Sequence, residues 1–444
     1  MERVEQTVTQ IQGLSGSKDD WEALHAQLEN VNAEWPSESV EAILSHLNPA
    51  VHTVGYVHFL LIRAKAFGQE AADEGFLQNT RSLLLLGHAG QLSHTRIQVQ
   101  EICETFTVAC RARGKALFGV KPLKVAVEKV RPSPEHLTTI HHNLLQLCLI
   151  AKVFKPAEEI IEGRVVRVNK EGMQARDVLL YLYYGGMVFA ALKRFQRAFD
   201  TLQLAFAMPC HALNEIVVEI YKKYVLVSLI VYGNIVQLPK YTTPLLQRML
   251  KSSCGAYHEV ATAFASLKME DVRAALEKHK TALQADNNWG LANQALASIY
   301  TRNIQRLTHT FVTLSLKDIA VEVDLPDANA AKTKILEMMD KAQIVATLDQ
   351  EKGMASFNSL NMGAGELLEK LTEQIGFANE LNTKLRDVDE TISCNAAYLN
   401  KVAMQERQSR WGESADWAAA GASTDEMMDM GEKPPGFSAS LGAR

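Results

Sequence analysis

Written in steps of 41 residues, the chain lines up with itself: Phe154 falls under Phe195 and Val236, and Leu147 falls under Val188 and Leu229. Ala157 lies under Ala198 and Pro239, and one step earlier Phe106 to Arg113 fits more loosely, with Ala116 under Ala157. Between Trp21 and Ile299 strand signals are almost missing, while apolar residues recur at intervals of three and four. Each period is therefore a helix, a tight polar turn and a second helix. A two-helix unit of this length cannot bury both of its faces alone and must stack on its neighbours, which makes an α-solenoid.

The middle unit resembles a tetratricopeptide repeat, with Gly186, Phe189, Ala198, Leu202, Ala205 and Pro209 near the offsets of that pattern. Gly186 and Ala198 let neighbouring helices approach, and Phe189 and Leu202 fill the space between turns. Before Phe106 the units are degenerate, and only Asn48-Pro49 and Gly87 to Gly90 mark helix ends. A solenoid has an open end, so its last repeat needs a cap.

The stretch Tyr300 to Phe357 supplies one. A helix over Tyr300 to Leu307 carries Ile304 and Leu307 on one side. Ser315, with Asp318 three residues on, has the form of an N-cap for a second short helix. Asp327 caps a third helix, with Ile335, Met338 and Met339 at helical spacing, ending near Ala342. Ile344 to Leu348 and Met354 to Phe357 then alternate around Gln350 to Gly353, the pattern of a β-hairpin. Three helices followed by a two-stranded wing is the order of a winged-helix unit.

Asn358 to Gly365 reads as a short polar linker. Beyond it Leu367, Leu371, Ile375, Ala378, Leu381, Leu385, Val388 and Ile392 form one apolar stripe on a helix roughly 40 Å long. The other face is mostly charged or amidic, so the stripe requires a covering surface. Gly376, within this helix, costs about 1 kcal/mol relative to alanine. From Ala403 the apolar periodicity ends and small and acidic residues dominate, so the tail reads as disordered. Trp411, Trp417 and the acidic, Met-rich Asp425 to Glu432 leave two readings open there, a short docking motif or an inert spacer.

Function classes narrow by exclusion. A chain of 444 residues, 47% apolar, has room for two or three domains. Its net charge of −5 offers no field for gathering nucleic acid or an anionic membrane. The first twenty residues hold no apolar signal segment, and Val225 to Tyr232 is far short of a membrane span. Six scattered cysteines (Cys103, Cys110, Cys148, Cys210, Cys254, Cys394) lack any C-x-x-C pair, which fits reduced core cysteines in the cytoplasm or nucleus. His141-His142 are adjacent, His258-Glu259 lacks the second histidine of a zinc-protease motif, and no His-x-His occurs. Gly13 to Lys18 has no preceding strand and is not read as a phosphate loop. The expectation is a non-enzyme without cofactor or metal. Ser315 to Leu360 carries five lysines, no arginine and eight acidic residues, a net of −3, which speaks against nucleic acid as the wing's partner. What remains is the strand edge, whose backbone groups can extend a neighbour's sheet.

With these residues in place, the chain resembles the PCI-domain family, in which a right-handed helical repeat runs into a winged helix. Within that group it is similar to the subunit-three family of the COP-9 signalosome. The likeness rests on Leu145 to Ala157, Tyr183 to Met187, Tyr221 to Leu229 with Gln237 to Thr242, and Asn303 to Leu307 through Leu316. It continues weakly through Lys352 to Phe357; residues 1 to about 130 match only in helical character, and the tail departs from the pattern. The resemblance implies helical repeats over 1–195 and a PCI domain over 196–360, divided into a helical part (196–305) and a winged helix (306–360). A bundling helix over 361–395 and a disordered tail over 396–444 complete it. It also implies a non-catalytic scaffold in a complex that removes the ubiquitin-like protein Nedd from cullin-RING ubiquitin ligases, the isopeptidase residing in another subunit. The implied partners are other signalosome subunits, with no nucleic acid and no membrane. They are held through Ile344, Leu348 and Phe357 of the hairpin and through Leu367, Leu371, Ile375, Leu381, Leu385, Val388 and Ile392 of the helix. A PCI subunit of the proteasome lid, or of a translation or RNA-export complex, has the same architecture and stays open at this point.

Overall fold

The computed structural model describes residues 2–14, 16–30, 35–67, 73–163, 167–168, 172–208, 214–341, 343–357 and 364–404. Pro209, Cys210, Ala342, most of the predicted linker, Trp411, Trp417 and the acidic segment Asp425 to Glu432 lie outside them, as does the predicted disordered tail beyond 404; its first residues, 396–404, are helical and not disordered. The chain divides into two units, Met1–Phe357 and Asn358–Arg444.

The N-terminal third of the first unit has helices and turns but no strand among its described residues, although its sequence repeat is weak. It holds α1 (Glu2–Gly13), α2 (Lys18–Asn30), α3 (Ser37–His46), α4 (Thr53–Phe67), α5 (Glu74–Leu86), α6 (Ala89–His94), α7 (Arg96–Ala112) and α8 (Ala116–Val130). Asp73 caps α5 by accepting the Phe76 N–H at 2.8 Å. Phe59, Phe76 and Phe106 are fully buried where these helices meet.

The repeat proper follows: α9 (Thr139–Ala151) and α10 (Lys155–Ile161), α11 (Ala175–Ala191) and α12 (Phe195–Leu204), then α13 (Glu215–Tyr232) and α14 (Pro244–Ser253). Strand β1 (His136–Leu137) pairs in parallel with β2 (Arg167–Val168). The turns explain the period. Gly114, Lys152, Lys193 and Gly233 all have left-handed backbone, with φ of 66°, 56°, 59° and 78°, just past the end of α7, α9, α11 and α13. After three of them the very next N–H reaches five residues back: Lys115 to the Cys110 carbonyl, Val153 to Cys148, and Arg194 to Phe189, at 2.9–3.0 Å. That bond stops a helix and reverses the chain. Packing then runs between neighbours, α8 on α9, α9 on α11, α11 on α12 and α12 on α13, as a solenoid requires. A Cβ at Gly186 would stand 2.6 Å from Leu202 Cδ2, so this glycine sets how closely α11 and α12 approach.

The third unit departs from the expected tight turn. Residues 234–243 run as a loop before α14, with Pro239 in the loop and Pro244 at the helix start. Ser228 holds the loop down, donating to the Asn234 carbonyl (2.7 Å) and accepting the Val236 N–H (2.9 Å).

After α15 (Gly255–Ala265), α16 (Met269–Lys278) and α17 (Lys280–Ala285), the solenoid ends in α18 (Trp289–Thr310). The helix expected over Tyr300 to Leu307 is the second half of α18, and this one rod serves two cores. Ala292, Ala295 and Ile299 belong to the long core that reaches back to Val4. Ile304 and Leu307 belong to a separate cluster with Ile319, Ile335, Met338 and Ala355.

Candidate subunit interface

The second cluster is the interior of the winged helix, which is built of α18, β3 (Thr313–Ser315), α19 (Leu316–Glu322), α20 (Ala328–Asp340), β4 (Ala346–Asp349) and β5 (Met354–Phe357). Ser315 is the N-cap of α19, accepting the Asp318 N–H at 3.1 Å. Asp327 stands at the N-cap position of α20, but its side chain makes no cap bond. The wing differs from the expected hairpin in one respect. Thr313, Leu314 and Ser315 pair antiparallel with Ser356, Ala355 and Met354, so the sheet is three-stranded with order β3-β5-β4. β5 is central, and the sheet's margins are β3 and β4. The β4–β5 turn is pinned by Asp349 Oδ1, which accepts the N–H groups of Glu351 (3.1 Å) and Lys352 (3.2 Å).

This geometry sorts the predicted contact residues. Ile344 and Phe357 are each 6% exposed and belong to the unit's own core, and Leu348 packs half-buried against it. What the hairpin offers outward is therefore the β4 margin and not these side chains. Other apolar side chains do face outward: Val312 (75% exposed) just before β3, Val321 (81% exposed) on α19, Leu336 on α20 and Val345 just before β4. Sequence reasoning passed over these, because periodicity separates two faces without saying which face a neighbour covers.

The second unit contains α21 (Ala364–Ser393), 30 residues long and roughly 45 Å from end to end. Leu371, Ile375, Leu381, Leu385, Val388 and Ile392 are all exposed on it, between 45% and 59%. Leu367 lies in the helix, but its side chain is outside the described residues. From Ala378 onward the stripe steps 3, 4, 3 and 4 through Leu381, Leu385, Val388 and Ile392. That is the a/d alternation of a helix that coils with other helices. Fully burying one such side chain contributes about 1.5–3 kcal/mol, so covering an exposed stripe of this length would supply a large driving force for association. Cys394, which follows the helix, is exposed, whereas Cys103, Cys110, Cys148 and Cys254 are buried free thiols. Burial pushes Cys103 up to about 12, the behaviour of an inert core thiol. No described helix is long and apolar enough to cross a membrane.

Comparison with known proteins follows the same division. Residues 18–246 match the family described as COP9 signalosome complex subunit 3, N-terminal helical repeats, and residues 276–359 match the PCI domain. The COP9 signalosome complex subunit 3 of Arabidopsis thaliana is 35% identical over 420 residues, covering 93% of this chain and 96% of the relative. That of Dictyostelium discoideum is 32% identical over 372 residues, covering 82% and 88%.

Proposed function

Because this chain belongs to the COP9 signalosome subunit 3 family, we propose that it is a non-catalytic scaffold subunit of that complex, supporting removal of Nedd from cullin-RING ubiquitin ligases through assembly alone. The observation that carries this reading is the exposed apolar stripe of α21. Its a/d spacing matches a bundle of like helices contributed by other signalosome subunits. The winged helix supplies a second joint, with β4 at the sheet margin and the apolar residues Val321 and Val345 exposed on the same unit.

We assign the division of labour accordingly: helical repeats over 1–195, a PCI domain over 196–360, the bundling helix over 361–395 and a tail over 396–444. Sister subunits are the direct partners, cullin-RING ligases the indirect ones, and the complex works in cytoplasm and nucleus. The net charge of −3 over Ser315 to Leu360 disfavours nucleic acid as a ligand of the wing.

The test is a double substitution, Leu371→Asp with Leu385→Asp. Both side chains are exposed, so the purified protein is expected to keep its helical circular dichroism and its melting temperature. In cells it should no longer co-migrate with the large assembly on gel filtration. Undiminished incorporation of the double variant would overturn the proposal.

A further inference from the structure

A cavity of about 650 Å³ opens between the α11–α12 turn, α12, α13, the middle of α18 and α20 of the winged helix. Its lining is unlike the rest of this acidic chain. Lys193, Arg194, Arg197, Arg302, Lys334 and Lys341 converge on it, against a single carboxylate, Glu337. Four glutamine amides and the hydroxyls of Ser298 and Thr301 complete the polar wall.

Part of this charge is already neutralised. Arg194 pairs with Glu158 at 2.7 Å and with Glu162, and Lys334 pairs with Glu337 at 3.2 Å. Among the described residues, Lys193, Arg197, Lys341 and Arg302 have no carboxylate within ion-pair distance. Arg302 is the telling one. Its guanidinium lies over Gly233, where a Cβ would come within 2.6 Å of it. Nη2 donates to the Ile230 carbonyl at 3.2 Å, while the buried Nε has no partner. Burial lowers its pKa from the ordinary arginine value, so the charged form is held here at a cost. The N-terminus of α12 adds the positive end of a ten-residue helix beside Arg194 and Arg197.

We propose that this cleft is a binding site for a compact polyphosphorylated anion, held by Lys193, Arg197, Arg302 and Lys341. The volume is in the small-ligand range. Guanidinium forks and ammonium groups from four separate points of the chain surround a compact anion better than they follow an extended chain. A ligand here would bridge the second tetratricopeptide-like unit to α20, and so tie the solenoid to the winged helix within the Met1–Phe357 unit.

The probe is inorganic tripolyphosphate, titrated into the full-length chain by isothermal calorimetry at low ionic strength. One-to-one saturable binding is expected, weakening steeply with added salt. Arg197→Glu with Lys341→Glu, both at exposed positions, should weaken it by about tenfold or more. Lys121→Glu, on α8 away from the cleft, should leave it unchanged. Melting temperatures without ligand check the folding of each variant, and Arg197→Gln with Lys341→Gln replaces the reversal pair if that pair melts early. The proposal is overturned by absence of saturable heat, by binding that ignores the paired substitutions, or by sulfate competing equally at matched ionic strength. Tighter binding of an oligoglutamate peptide at the same residues would also overturn it, and would assign the cleft to an acidic segment instead.

Discussion

Asp286, in the turn between α17 and α18, is where the end of the solenoid is fastened. Its carboxylate accepts from Lys222 Nζ and from the Tyr257 hydroxyl, both at 2.7 Å, and Asn288 donates to that same hydroxyl at 2.8 Å. Burial alone would raise its pKa, but the bonds from Lys222 and Tyr257 hold it below the usual carboxylate range. Asp286→Asn removes half of Lys222's compensation and leaves Glu219 as its remaining partner. A loss of about 2 kcal/mol is expected, seen as a lower urea midpoint; an unchanged midpoint would contradict the network's role. His141 and His142 set a second expectation. Both are buried in α9, and burial depresses each to about 4. An unfolded histidine titrates near 6.5, so between these values the unfolded chain binds more protons and stability falls as pH falls. The loss across that window is on the order of a few kcal/mol, and it is complete once the folded pKa has been passed. His142→Gln should flatten the melting temperature against pH over this range. A slope equal to that of the parent protein would rule the histidine out as its cause.

Among the elements, α21 is the one whose stability is most separable from the rest. Gly376 sits inside it, and a Cβ added there would meet no heavy atom within 4 Å. Gly376→Ala should therefore stabilise the helix by about 1 kcal/mol. A peptide spanning 364–393 should show higher helicity by circular dichroism after the change, and unchanged helicity would mean that the segment is limited by something other than its glycine. This helix was readable from sequence because 3–4 spacing sustained over many turns has one geometric solution. β3 was not. Three residues, Thr313 to Ser315, carry too little alternation to register, and Ser315 also reads as a helix cap, which it is. The third repeat misled in the other direction, since Val236 keeps the 41-residue spacing while Ser228 and two prolines hold its backbone out of a helix.

At the scale of the molecule, the period in the sequence and the left-handed residues at the helix ends are the same fact seen twice. Lys152 and Lys193 give no hint of such backbone as residue types, yet they fall one period apart. The helical repeat and its winged-helix cap were legible for that reason. The outward faces were legible only in part. Ile344 and Phe357 have the alternation of a hairpin, and the structure turns both inward, while Val321 emerges as exposed only once its neighbours are known. The basic cleft could not be read at all, because Lys193 and Lys341 come from distant parts of a chain whose overall charge is negative. The central claim is that α21 finds its covering surface in other subunits. Hydrogen exchange measured on the free chain and on the chain within its purified assembly tests it most directly. The account predicts fast exchange over 364–393 in the free chain and strong protection in the assembly, with the buried helices α9 to α13 protected in both. Equal protection of 364–393 in the two states would contradict it.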